Sequence, residues 1–174
     1  RGAMCRGIAS ADSSPESRAL LLKVQPESRD DVGCLEAITH LAIADPSTFD
    51  WLAASAETGL LRHAGSGSGM PCTRLAALWK AVVDKRQPSE HGALAIPMGA
   101  AIKRCPPEMD GILPAMIDGA NAAPLVISAI DPYDRSTSEL KLTCSALTRA
   151  TRDPRVTRRS IERAQDEIAH GCPR

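Results

Sequence analysis

The chain has 174 residues, enough to bury a hydrophobic core and few enough for one domain. It carries 21 basic and 21 acidic residues, so no overall charge draws it toward nucleic acid or an anionic membrane. Aromatic residues make up 2% of the sequence, which disfavours a β-sandwich because its strands are normally enriched in them. The composition therefore predicts an all-α protein with a core of small and aliphatic side chains.

Six cysteines, an even number, indicate an oxidising compartment, periplasmic or extracellular, and two or three disulfides. No pair has the Cys-x-x-Cys spacing, so neither a zinc ribbon nor a thioredoxin-like site is predicted. Cys5 follows "RGAM", which resembles a cloning remnant. It is expected to be a sixth disulfide cysteine, a free thiol or the acylated first cysteine of a lipoprotein. The disulfide candidates, whose pairing the sequence leaves open, are Cys34, Cys72, Cys105, Cys144 and Cys172.

Residues 1–18 lack a periodic apolar face and are predicted to be a flexible arm, and residues 19–174 a single helical domain. The first helical pattern places Leu35, Ile38, Leu41 and Ala42 on one stripe and ends at Asp45-Pro46, since a residue before proline leaves the α region. The next pattern spans residues 47–65. We expect Ser47 or Asp50 to cap that helix and Gly65 to end it, so that the two helices form a hairpin.

After the "GSGSG" loop, the pattern of two helices that form a hairpin repeats over residues 72–105. Leu75, Leu78, Trp79 and Val82 form a stripe, "KRQPSE" interrupts it, and Ser89 is the expected cap of a second helix. Pro97 falls inside that helix and is expected to kink it, at a cost of about 3 kcal/mol in an ideal interior.

Two short helices are predicted around Pro114 and Pro124. An S-x-x-E arrangement from Ser136 to Glu139 then predicts the start of a helix that ends at Asp153-Pro154. The last helix is expected from about Arg155 to His170, with Gly171 as its stop. Its inward residues would be Ile161, Ala164 and Ile168, and its outer face would carry the pairs Arg158–Glu162 and Arg163–Glu167.

The proline breaks recur about every 30–40 residues, the length of a two-helix unit. "LTRATRDPRVTRRSIERAQDEI" resembles a HEAT or armadillo repeat, with a helix ending at an Asp-Pro turn, Val156 after it and Arg158 or Arg159 at the usual arginine position. The resemblance covers mainly residues 140–170. It implies antiparallel helix pairs stacked in a short α-solenoid, and an irregular helical bundle is the alternative.

Familiar catalytic sets are not apparent. Cys34 and His40 are six residues apart on one helix, about 9 Å along its axis and on different faces. His63, His91 and His170, like His40, are expected at the surface or at helix ends. No spacing predicts a metal site, and no cofactor is predicted. Ser136-Thr137-Ser138 is similar to the Ser-Thr-Ser motif of arginine-type ADP-ribosyltransferases, although no Glu-x-Glu or Gln-x-Glu follows. Such a transferase, or a Cys or Ser hydrolase, is the alternative function.

Basic residues are concentrated around the last turn. If the final two helices pair, these basic residues form a ridge. Each arginine of the ridge can bind a carboxylate through two hydrogen bonds. The scarcity of stacking aromatics disfavours nucleic acid. The predicted function is an exported protein-binding module without catalytic activity, such as an inhibitor, an adaptor or a periplasmic immunity protein, whose partner has an acidic surface. The predicted contact residues are Arg149, Arg152, Arg155, Arg158, Arg159 and Arg163.

Overall fold

The computed structural model describes residues 5, 14–24, 32–54, 58–66, 69–118 and 140–172. Within these ranges the chain is helical and contains no strand, which confirms the all-α, disulfide-stapled fold. A 3-10 turn at Pro88–Glu90 precedes α6. The α-helices are α1 (Pro15–Val24), α2 (Val32–Ala44), α3 (Pro46–Ala54), α4 (Thr58–Ser66), α5 (Cys72–Asp84), α6 (His91–Arg104), α7 (Pro106–Met109), α8 (Leu113–Asp118), α9 (Lys141–Ala150) and α10 (Arg158–His170).

The predicted corner at Asp45-Pro46 separates α2 from α3. The Asp45 carboxylate accepts hydrogen bonds from the backbone N–H and the hydroxyl of Thr48, both at 2.6 Å. Asp45 therefore caps α3, and the expectation that Ser47 or Asp50 would do so is wrong. Asp45 can both follow the end of α2 and cap α3, because Pro46 at the first position of α3 has no N–H that needs a hydrogen-bond partner.

In place of the single helix predicted for residues 47–65, the structure describes two, with residues 47–54 in α3 and residues 58–65 in α4. Gly65 lies inside α4 and is buried, so it is not the stop residue. A Cβ atom at Gly65 would lie 2.9 Å from the Ala101 nitrogen of α6. Glycine thus allows α4 and α6 to approach closely, and this contact is the most extensive between any two helices in the described ranges.

The predicted stripe of α5 is confirmed, since Leu75, Leu78, Trp79 and Val82 are all fully buried. Ser89 does not cap the following helix: α6 begins after Glu90, which makes no side-chain capping bond. The Glu90 carboxylate instead accepts from the Gln87 N–H at 2.9 Å within the connecting turn. Pro97 lies within α6, as predicted, and is buried.

One core joins α2 to α6: α2 packs against α3 and α4, α3 packs against α5, and α5 packs against α6. Two arginines bind the last carbonyl groups of earlier helices, where a cation is favourable. The Arg74 guanidinium donates to the Ala42 carbonyl at 3.2 and 3.3 Å and lies over the Phe49 ring. Arg104 donates to the carbonyls of Ala64 and Gly65, at the end of α4.

All six cysteines are paired, as Cys5–Cys34, Cys72–Cys105 and Cys144–Cys172. The disulfide alternative for Cys5 is therefore correct. The alternatives of a free thiol and a lipid anchor are wrong, because a sulfur bonded to another sulfur cannot carry a thioether-linked lipid. A cysteine nucleophile, as in the hydrolase alternative, needs a free thiolate, and none of the six cysteines is free in this structure.

Two of the disulfides show how helices pair. Cys72 opens α5 and Cys105 follows α6, while Cys144 lies near the start of α9 and Cys172 follows α10. Each bond joins the beginning of one helix to the end of the next. The pairs α5–α6 and α9–α10 are therefore antiparallel hairpins, each closed at its open end by a disulfide.

Part of the predicted arm is structured: α1 begins at Pro15, and Cys5 is buried in its disulfide with Cys34. The division into an arm at 1–18 and a domain at 19–174 remains a prediction. Of the two short helices predicted around the prolines, α8 contains Pro114, while Pro124 lies outside the described residues. In the part of the chain that the structure describes, no helix has the length and apolarity needed to cross a membrane.

Candidate functional site

The arginines of interest are on the α9–α10 hairpin, whose base is held by a residue distant in sequence. Asp110 follows α7 and is buried. Its carboxylate accepts from the backbone N–H groups of Leu142 and Thr143 and from the Thr143 hydroxyl, each at 2.8 Å. Asp110 thus supplies the N-terminal cap of α9, since the N-cap residue Leu140 makes no side-chain capping bond.

The predicted helix start at Ser136–Glu139 is not where α9 begins. The helix starts at Lys141, and residues 136–139 lie outside the described residues. The residues that resemble the ADP-ribosyltransferase motif, Ser136–Ser138, also lie outside the described residues. At its other end α9 leads into the predicted Asp153-Pro154 turn.

That turn is ordered by Asp153 and Arg155. The Asp153 carboxylate accepts from the Arg155 backbone N–H at 2.9 Å and from its guanidinium at 2.9 and 2.6 Å. The side-chain hydrogen bonds from Arg155 are the largest cause that lowers the pKa of Asp153, to about 2. Val156 is buried under the turn, and the Thr157 hydroxyl accepts from the Ser160 N–H as the cap of α10. The last helix therefore starts at Arg158, three residues after the predicted start, and ends before Gly171 as predicted.

The outward pattern predicted for α10 is half right. Arg158 and Glu162 form the expected pair, with Nε and Oε1 at 3.0 Å. Glu167 is fully buried, so the predicted outer-face pair Arg163–Glu167 is wrong. The inward residues are as predicted: Ala164 is buried, and Ile161 and Ile168 pack against the core while half-buried.

The six predicted contact residues all lie at the turn end of the hairpin, and we call them the arginine surface. Arg149 ends α9, Arg152 and Arg155 lie in the turn, Arg158 and Arg159 begin α10, and Arg163 is one helical turn further along. Their shared location was predictable, because an antiparallel pair brings the end of one helix next to the start of the following one.

Three members of the arginine surface are bound to carboxylates of the chain itself. Arg149 makes two bonds to Asp118 of α8, at 3.2 and 2.7 Å, and the hydrogen bond raises the pKa of the guanidinium. Arg155 is bound to Asp153 and Arg158 to Glu162. These ion pairs are exposed, so each contributes little to stability, but they occupy the guanidinium groups.

The other three members, Arg152, Arg159 and Arg163, are exposed and have no carboxylate partner among the residues that the structure describes. Arg159 and Arg163 are four residues apart on α10 and therefore lie on the same side of the helix. The first turn of α10 contains no acidic residue. Because a helix N-terminus carries partial positive charge, Arg159 is at an electrostatically unfavourable position that a bound anion would relieve.

The histidines do not assemble with other reactive groups. His40 is exposed, and His170 bonds within α10 to Asp166. His91 differs from the expectation of an exposed residue: it is buried, with Nε2 3.2 Å from the Val83 carbonyl near the end of α5. It does lie at a helix end, as predicted. Among the described residues no three His, Cys, Asp or Glu side chains are grouped so as to hold a metal ion.

Asp110 and Glu167 are the residues that sequence reasoning missed. Asp110 precedes a glycine and carries no local signal, because the helix that it caps begins about thirty residues later. Glu167 has the spacing of an exposed partner for Arg163, and only the packing of α10 reveals its burial.

Comparison with protein-family models, with curated proteins and with solved structures finds no match to this chain. No relative therefore indicates a function for the hairpin surface, and the HEAT or armadillo resemblance stays a prediction.

Proposed function

We propose that the protein is an exported binding module that recognises an acidic surface of another protein through the arginine surface. The observation that carries this proposal is the state of Arg152, Arg159 and Arg163, which are exposed without a carboxylate partner in the described ranges. Three disulfides support an oxidising, extracellular setting because such bonds persist there. Periplasmic location, and a role as inhibitor, adaptor or immunity protein, are the specific forms that we propose.

Arginine suits this role because its planar guanidinium matches a carboxylate with two parallel hydrogen bonds. A partner carboxylate placed between Arg159 and Arg163 would also lie near the N-terminus of α10, where negative charge is stabilised. The ordered turn and the capped ends of both helices hold the arginine backbones in place, which reduces the entropy lost on binding. If the helix pairs stack as in HEAT or armadillo proteins, the contact extends over a broad surface and needs no catalytic residue.

The proposal is tested by reversing charge at the unpaired arginines. Wild-type protein, Arg159→Glu/Arg163→Glu and the control Lys23→Glu/Arg62→Glu are each immobilised and exposed to the secreted proteins of the source organism. Lys23 and Arg62 are exposed cations of α1 and α4 that have no acidic partner in the described part of the chain. Because each double variant replaces two cations with two glutamates, the two variants have the same net charge. Captured proteins are quantified by mass spectrometry, and the affinity of any enriched protein is then measured with each purified variant.

We expect a partner that binds wild-type protein and the control equally and binds Arg159→Glu/Arg163→Glu at least about tenfold more weakly. Its affinity for wild-type protein should fall as salt is raised. A partner with the same affinity for all three proteins would contradict the assignment of the arginine surface. Equal loss in both variants would also contradict it, because the attraction would then depend on net charge alone.

A further inference from the structure

The helix that carries half of the arginine surface is weakly packed. The buried residues of α10 are Ser160, Ala164 and Glu167, none of which is a large hydrocarbon. Ile161 and Ile168 are only half-buried. The principal neighbour of α10 in the described part of the molecule is α9. Hydrophobic burial is therefore a small part of what holds α10 in place.

Two covalent links hold α10 at its ends. The Asp153-Pro154 turn connects its start to α9, and the Cys144–Cys172 disulfide connects its end to the first turns of α9. Cys172 is half-buried and Cys144 is 8% exposed, whereas Cys5 and Cys34 are both completely buried. A thiol reductant therefore has better access from solvent to Cys144–Cys172 than to Cys5–Cys34.

The α5–α6 hairpin has the same disulfide arrangement but a different interior. Cys72 is also half-buried, so a reductant has similar access to its bond with Cys105. Behind that bond, α5 buries Leu75, Leu78 and Trp79 completely, and α6 buries Met98 and Ile102. Loss of the Cys72–Cys105 bond would leave α5 packed against α3 and α6 packed against α4, so both helices would stay in place.

We propose that Cys144–Cys172 is a redox switch of the arginine surface: its reduction releases α10 and separates Arg158, Arg159 and Arg163 from the turn arginines. An external dithiol provides two electrons and two protons to the sulfur–sulfur bond. The products are the thiols of Cys144 and Cys172 and a disulfide on the reductant. Reoxidation restores the hairpin. The switching of partner binding rests on the proposed function, whereas the release of α10 does not.

The release of α10 is tested with the variants Cys144→Ser/Cys172→Ser and Cys72→Ser/Cys105→Ser, compared by amide hydrogen exchange with the oxidised protein. We expect exchange of the α10 amides to accelerate at least about tenfold in the first variant, while the amides of α5 and α6 keep their protection. In the second variant the α5 and α6 amides should remain protected. Protected α10 amides in Cys144→Ser/Cys172→Ser would overturn the proposal, because packing alone would then hold the helix.

Partial reduction of the wild-type protein by dithiothreitol, followed by alkylation and mass spectrometry, identifies which bond opens in the native state. We expect Cys5–Cys34 to be the last to react, and the loss of α10 protection to follow alkylation of Cys144 and Cys172. Any partner whose affinity depends on Arg159 and Arg163 should bind Cys144→Ser/Cys172→Ser at least about tenfold more weakly. Unchanged affinity would refute the switch while leaving the proposed function intact. Release of α10 with no arginine-dependent partner would instead refute the proposed function and the switching with it.

Discussion

The hairpins α5–α6 and α9–α10 share one construction and differ in what holds them. In each, a disulfide joins the start of the first helix to the end of the second. The first hairpin is stabilised by large apolar side chains such as Trp79 and Met98, which belong to the core. In the second, α9 contributes Leu147 to the same core, whereas α10 buries no large apolar side chain. The second hairpin also depends on a distant capping carboxylate, a turn held by an ion pair and its disulfide, and its outer side carries the arginines. The same covalent frame thus supports a core element in one place and an exposed charged surface in the other.

The largest expected effect is a loss of stability on truncating a core residue, and it should differ between the two hairpins. Trp79→Ala removes a completely buried indole from α5 and should lower the free energy of unfolding by about 3–5 kcal/mol. Ile161→Ala in α10 removes a half-buried side chain and should cost only about 1 kcal/mol, because less apolar surface returns to water. Urea unfolding of both variants, followed by circular dichroism, measures the difference. Equal losses would show that the α9–α10 hairpin is packed as tightly as the first.

Asp110 provides the next test, since it holds the base of the weaker hairpin. Asp110→Ala leaves two backbone N–H groups and the Thr143 hydroxyl of α9 without their acceptor and should cost about 2 kcal/mol. Asp118→Ala is the control: it removes an exposed partner of Arg149 and should cost less than about 1 kcal/mol. The two are compared by urea unfolding. A loss at Asp110 no greater than that at Asp118 would mean that α9 does not need the distant cap.

A comparable effect is expected at the contact between the core helices α4 and α6. Gly65→Ala places a Cβ atom 2.9 Å from the Ala101 nitrogen, so the helices must shift, at a cost of about 1–3 kcal/mol. Gly59 lies in the same helix with nothing within 4 Å of an added Cβ. Gly59→Ala should therefore be neutral or stabilise by up to about 1 kcal/mol, because alanine restricts the unfolded chain. Thermal unfolding gives the order of the two variants, and destabilisation by both would indicate that helix position rather than the close contact is responsible.

The sequence predicted what local periodicity and proline control. The α5 stripe and the corners at Asp45-Pro46 and Asp153-Pro154 follow from the helical repeat and from the missing N–H of proline, both of which act within a few residues. The location of the arginine surface at one end of a hairpin followed from the same pattern. It could be predicted because it needs only two helices and a turn.

What the sequence could not predict depends on residues that meet across the fold. Arg149 is bound because Asp118, 31 residues earlier, lies beside it, whereas Arg152 has no such neighbour in the described ranges. Caps were misassigned for a related reason: serine at position 47 and aspartate at position 45 are both suitable, and only the backbone geometry selects Asp45. The division of the arginine surface into bound and unbound members is therefore a property of the tertiary structure.

The smallest expected effect concerns the ion pair that orders the turn of the second hairpin. Arg155→Ala removes the guanidinium that holds the pKa of Asp153 at about 2, so this pKa should rise toward its ordinary value of 3.8. The rise should be incomplete, because the backbone N–H of residue 155 still donates to the carboxylate. Carboxyl carbon chemical shifts, followed by NMR from pH 1.5 to 5.5, measure the change for both proteins.

The sign of the pH dependence follows from the direction of this shift. Because the pKa of Asp153 is lower in the folded protein than in the unfolded chain, ionisation of its carboxyl favours folding above about pH 4. That contribution is lost as the pH falls from about 4 to about 2. Arg155→Ala should therefore show a weaker loss of stability over this interval than the wild-type protein. If acidification to pH 2 destabilised both proteins equally, the Asp153–Arg155 pair would not be what orders the turn, and the arginine surface would depend on the Asp110 cap and the Cys144–Cys172 bond alone.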